Sequence, residues 1–81
     1  MPLTMTKAGD TVTIRKITGK DEVRQHLAEI GFVVGETVTV VNEISGNLIL
    51  QVKEARIALD KTLAMRIIVA YKIWNHSPSA V

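Results

Sequence analysis

The sequence predicts a mainly β fold with one short helix: a small, partly open barrel of about five strands. Three observations carry this reading. Apolar residues alternate with polar ones over several short runs, the period of a half-buried strand. One stretch, residues 21–30, switches to helical spacing. The 47% apolar content is mostly aliphatic, with only Phe32, Tyr71 and Trp74 as aromatics, and chains rich in β-branched residues favour sheets. A two-layer α+β sandwich is the alternative arrangement of the same elements.

The first strand lies within residues 9–17, where Val12 and Ile14 alternate with Thr11, Thr13 and Arg15. The next apolar residue is Ile17, so the period slips and a bulge or strand end is expected near Arg15 and Lys16. Gly19 makes a turn. Val23, Leu27 and Ile30 then form the apolar stripe of a short helix, with Asp21 as expected N-cap and Gly31 as its stop. Residues 36–43 alternate again, with Val38 and Val40 on one side and Thr37, Thr39 and Val41 on the other. The cluster Ser45-Gly46-Asn47 turns the chain into Leu48, Leu50 and Val52, which predicts an antiparallel hairpin. A short strand follows at 56–59, and Asp60 is placed to cap a helical turn over 61–65. The last strand, 66–71, is apolar on both faces, the pattern of a central strand or one covered on both sides.

The 81 residues fit one domain, assigned to 1–74, with a frayed tail at 75–81 that contains Ser-Pro-Ser. Without cysteine, neither disulfides nor thiolate metal sites can hold the chain together. A net charge of +2 permits an acidic partner without requiring one. No run approaches the roughly 18 apolar residues of a membrane span. The N-terminus lacks the charged and apolar regions of a signal peptide, so a cytoplasmic protein is expected.

One ordered set of residues resembles a known family. It starts at Gly9 with Val12, Ile14, Ile17 and Gly19. It continues through Leu27-Ala28-Glu29-Ile30-Gly31-Phe32, Gly35, Val38 and Val40, and ends with Ile57-Ala58-Leu59, Ala64, Ile67 and Val69. Over roughly residues 3–70 this pattern resembles the FeoA family. Val34 stands where many members carry proline, and Lys53-Glu54-Ala55-Arg56 replaces a turn that is often glycine-rich. The resemblance implies an SH3-like barrel of the free-standing class, rather than the related domain that closes metal-dependent repressors. It also implies a cytoplasmic accessory role in bacterial ferrous-iron uptake. The implied partner is the cytoplasmic GTP-binding region of the membrane transporter FeoB.

The residues themselves argue against an enzyme. There is no nucleophile motif, and Gly31-Phe32-Val33-Val34-Gly35 is not a phosphate loop, because no Lys-Ser/Thr follows it. No cofactor is expected beyond weak Fe²⁺ or Zn²⁺ binding. Glu22, His26 and Glu29 are spaced i, i+4 and i+7, and an imidazole with two carboxylates suits such an ion; the plainer reading is a solvated helix flank. The rival function is nucleic-acid binding by a small basic barrel, since Arg15, Lys16, Lys20 and Arg24 are the densest basic group. Asp21 and Glu22 interrupt that group and no strand carries paired aromatics, so nucleic acid is not the expected partner. Protein binding is the favoured reading, through Phe32, Val33, Val34, Ile73 and Trp74. Homo-oligomerisation is a further possibility, with the two-sided apolar strand 67–70 as its expected place.

Overall fold

The computed structural model describes residues 1–71. Ile73, Trp74 and the 75–81 tail lie outside the described residues, as does the end of the domain assigned to 1–74. A 3-10 turn at Leu3–Met5 leads to β1 (Thr11–Ile17), α1 (Asp21–Glu29), β2 (Thr37–Ile44), β3 (Asn47–Val52), β4 (Ala55–Asp60), α2 (Lys61–Ala64) and β5 (Ile67–Tyr71). The five strands form one antiparallel sheet in the order β4-β3-β2-β1-β5. The predicted five strands and single substantial helix are therefore present. The sheet is open, as expected of a partly open barrel, and β4 and β5 are its two ends.

Period-2 alternation builds the core. Val12 and Ile14 of β1, Val38 and Val40 of β2, Leu48, Leu50 and Val52 of β3, and Ile67 and Val69 of β5 all point inward and are buried. Leu27 of α1 covers them, with Val23 and Ile30 packed alongside, so the predicted helical stripe faces the core. The nine-residue helix is too short to be stable alone, and this packing is what holds it. Burying a side chain of this size stabilises by about 1.5–3 kcal/mol each.

The slip after Ile14 is a register shift between Ile14 and Lys16 in the pairing of β1 with β5. A second shift lies between Val40 and Asn42, where β2 carries Val41 past its partner β3. The β2–β3 hairpin closes on the Ile44–Asn47 pair over Ser45 (φ +50°) and Gly46 (φ +81°). Two central residues with positive φ match the strand twist best. Asp60 caps α2 as predicted, its carboxylate accepting from the Leu63 amide at 2.9 Å.

Two expectations change. Asp21 is the first helical residue and not the cap. Lys20 occupies the cap position without a side-chain bond, while Asp21 pairs with Arg24 on the helix surface. The negative first turn, Asp21 and Glu22, still complements the helix dipole. The last strand is not central. β5 ends the sheet, and residues Met1 and Pro2 cover its outer edge. The Val69 amide donates to the Met1 carbonyl at 2.7 Å, the Met1 ammonium donates to the Val69 carbonyl at 3.0 Å, and Pro2 bridges Ile68. The edge proposed for self-association is thus occupied by the chain's own N-terminal segment.

Candidate functional site

The segment between α1 and β2 is where the fold exposes apolar side chains on a rigid base. Helix α1 ends at Glu29 with Ile30 as its C-cap, and Gly31 takes φ +114°, a conformation open to glycine and strained for other residues. The Phe32 amide then donates to the Leu27 carbonyl (2.9 Å) and the Gly31 amide to the Ala28 carbonyl (3.1 Å). These two bonds are the Schellman closure of a helix, and Leu27 and Phe32, both fully buried, form its hydrophobic contact.

Beyond Phe32 the chain is stitched to β1. The Gly35 amide donates to the Ile14 carbonyl (2.8 Å), the Ile14 amide to the Glu36 carbonyl (3.0 Å) and the Glu36 amide to the Val33 carbonyl (3.0 Å). With both ends fixed, Val33 and Val34 stand out from the surface, 41% and 64% exposed. Glu36, largely buried, faces Lys53 across 3.7 Å and gives the patch a charged rim. The result is a small preorganised apolar knob, a shape that suits protein contact, because little conformational freedom is left to lose on binding.

Of the residues assigned to partner binding, Val33 and Val34 are exposed together. Phe32 is fully buried and anchors the loop from beneath, so its part in the segment is to support the two valines. An aromatic ring beside a helix end gains more from the core than from water. Ile73 and Trp74 lie outside the described residues.

The three residues of the metal reading lie along one helix. Glu22, His26 and Glu29 are all exposed on α1. Among the described residues no three His, Cys, Asp or Glu side chains gather closely enough to hold a metal ion. Carboxylates two turns apart on a straight helix need a further element to bring their oxygens onto one ion, and among the described residues no other His, Cys, Asp or Glu completes such a group with these three. The basic group Arg15, Lys16, Lys20 and Arg24 is exposed, with Arg24 engaged by Asp21. Of the two aromatics among the described residues, Phe32 is buried and Tyr71 donates its hydroxyl to Asp10 at 3.0 Å, so no stacking platform accompanies the charge.

Sequence reasoning missed two features. One is the Glu36–Lys53 rim, because the pair is distant in sequence and meets only through the β2–β3 pairing. The other is the Tyr71–Asp10 contact, which ties the end of β5 to the loop before β1. The hydrogen bond to Asp10, partial desolvation and the Asp10 charge together raise the Tyr71 pKa above its usual 10.0.

A family model, that of the FeoA domain, matches residues 1–71. The chain belongs to the FeoA domain family. A curated relative in Methanocaldococcus jannaschii, named for Fe(2+) transport as transport protein A, is 32% identical over 68 residues, covering 84% of this chain and 83% of its own. The crystal structure of an iron uptake regulatory protein, FeoA, superposes with a TM-score of 0.81 at 33% identity, covering 86% of this chain and 93% of that one. FeoA of Stenotrophomonas maltophilia, crystallised with zinc and described as a procaryotic SH3 domain protein, matches with a TM-score of 0.73 at 29% identity, over 86% and 89% of the two chains. The SH3-like expectation therefore holds. A manganese-dependent transcriptional repressor shares the fold at a TM-score of 0.82 and 22% identity, this FeoA chain spanning 36% of its length.

Proposed function

We propose that this FeoA-domain protein is a non-enzymatic accessory factor of ferrous-iron transport, acting in the cytoplasm by docking onto the GTP-binding region of FeoB. The observation that carries the reading is the Val33–Val34 knob. It is apolar and exposed, yet held by the Schellman closure below and by β1 beside it. Such a patch is suited to a partner's apolar pocket, and a central aliphatic or aromatic contact usually dominates an interface of this kind. The named roles of the relatives in Fe(2+) transport and iron uptake regulation support the process. The Stenotrophomonas maltophilia protein has been put forward as a ferrous iron transport activating factor, in the same sense. No helix of the described residues is long and apolar enough to cross a membrane, consistent with work done beside a transporter rather than within the bilayer.

In this reading ferrous iron is the cargo of the partner. The chain's described residues do not form a metal group, so no step passes through an ion held on α1. The direct test is the affinity of the full chain for the isolated GTP-binding region of FeoB, by calorimetry. The wild type binds, and Val34→Asp, at an exposed position, binds at least about tenfold more weakly with an unchanged circular dichroism spectrum. Equal affinities would remove the knob from the interface. Absence of binding by the wild type would remove the partner.

A further inference from the structure

The two ends of the sheet differ. The free edge of β5 is covered by Met1 and Pro2, whereas among the described residues no backbone group bonds to the outer edge of β4. We propose that β4 is a self-recognition edge, on which a second copy of this chain pairs antiparallel about a two-fold axis at Ala58. This goes beyond the FeoB reading and uses a different surface.

Backbone polarity sets the register. The β3–β4 hairpin has a two-residue loop, Lys53-Glu54, closing on the Val52–Ala55 pair. A turn of this length bonds its flanking residues to each other. Antiparallel pairs then alternate between bonded and non-bonded. Ala55, Ile57 and Leu59 therefore direct their amides and carbonyls to β3, Arg56 and Ala58 direct both of theirs outward, and Asp60 directs its amide outward while its carbonyl opens α2. A two-fold at Ala58 sets Ala58 against the partner's Ala58 and Arg56 against the partner's Asp60. Ala58 then exchanges both of its bonds with the partner's Ala58, and each Asp60 amide meets the partner's Arg56 carbonyl; the Arg56 amide faces the Asp60 carbonyl, which as the N-cap oxygen already accepts the first bond of α2.

The side chains agree with the same register. Arg56, Ala58 and Asp60 lie on the exposed face of β4, while Leu59 is buried and Ile57 half-buried on the core side. The strand carries a cation near one end and an anion at the other, so antiparallel self-pairing brings unlike charges together at both ends. Parallel pairing would set like charges side by side. Both groups have capacity left. Arg56 donates its Nε to Gln51 (3.2 Å), leaving the terminal guanidinium nitrogens for the carboxylate. Asp60 accepts the Leu63 amide on Oδ1, leaving Oδ2. The small Ala58 lets the two strands approach at the axis without a side-chain clash. Cross-strand charge pairs and ladder bonds of this kind define an edge-to-edge contact.

The contact is one six-residue strand wide. It is smaller than the roughly 1,200–2,000 Å² of a stable interface. The dimer is therefore concentration-dependent. Sedimentation equilibrium of the full chain from about 10 µM to about 1 mM should show a monomer–dimer equilibrium. Arg56→Glu sets two acidic groups opposite each other and should weaken association at least about tenfold, with the fold unchanged. Ala58→Pro removes only an outward amide, which an edge strand tolerates, and should leave a monomer. Raising protein concentration should move the amide resonances of Arg56, Ala58 and Asp60 while those of Ile57 and Leu59 stay nearly still. A monomer at all concentrations, including one whose edge is covered by residues 72–81, would overturn the proposal. So would a dimer indifferent to Arg56→Glu, or concentration-dependent shifts outside β4. If Ala58→Pro does not fold, the Arg56→Glu result decides alone.

Discussion

Replacing Gly31 by alanine tests the base of the candidate surface. At φ +114° the backbone lies where an L-residue is strained. Space is not the obstacle: the nearest atom to an added Cβ is Val52 Cγ1 at 3.6 Å, an ordinary contact. The whole effect is therefore conformational, about 1–3 kcal/mol of destabilisation. That is a substantial share of the roughly 5–15 kcal/mol that holds a domain together. Gly31→Asn separates this cause from others, because asparagine tolerates left-handed backbone better than alanine. It should recover part of the loss although its side chain is larger. Urea unfolding monitored by circular dichroism reads both, with the slope against denaturant unchanged. A Gly31→Ala protein as stable as wild type, within about 0.5 kcal/mol, would refute the Schellman closure. A Gly31→Asn protein less stable than Gly31→Ala would show that crowding, not backbone strain, sets the cost.

Three further outcomes follow from the same structure. Phe32→Ala removes a fully buried ring from beneath the loop and should cost about 3–5 kcal/mol in the same unfolding assay. Val34→Asp, at an exposed position, should change stability by no more than about 0.5 kcal/mol, so any loss of FeoB binding reports the surface and not the fold. Tyr71 has its pKa raised above 10.0 by its bond to Asp10. A raised value means that its contribution is complete below the unfolded pKa and is lost as pH rises through the folded one. Stability should therefore fall above about pH 10 in the wild type, and that part of the fall should vanish in Tyr71→Phe.

Much of the fold was legible because the signals are local. The slip from Ile14 to Ile17 predicted a bulge that is there, Gly31 stopped α1, Ser45-Gly46 turned the β2–β3 hairpin, and Asp60 capped α2. What was not legible depends on contacts between distant segments. Apolar residues on both faces of β5 do not say which neighbour covers its edge, and nothing in Met1-Pro2-Leu3 announces that these residues seal it. Asp21 looked like a cap, but its carboxylate went to Arg24 on the next turn. At the site, Val33 and Val34 were found because two valines after a helix stop cannot all turn inward. Phe32 was grouped with Val33 and Val34 as one contact segment; its burial makes it the anchor of the loop, as a ring inserted into the core, and leaves the valines as the tip. The triad on α1 shared a helical face in sequence, but a common face is not convergence on one point.

The segment from Gly31 to Glu36 is the surface proposed to meet FeoB. Titrating the isotope-labelled full chain with the isolated GTP-binding region of FeoB, and following its amide resonances, tests that claim most directly. Shifts should concentrate at residues 31–36 and at neighbouring Lys53, and should be absent when the labelled chain carries Val34→Asp. An unperturbed spectrum at saturating partner, or shifts confined to another face of the barrel, would contradict it.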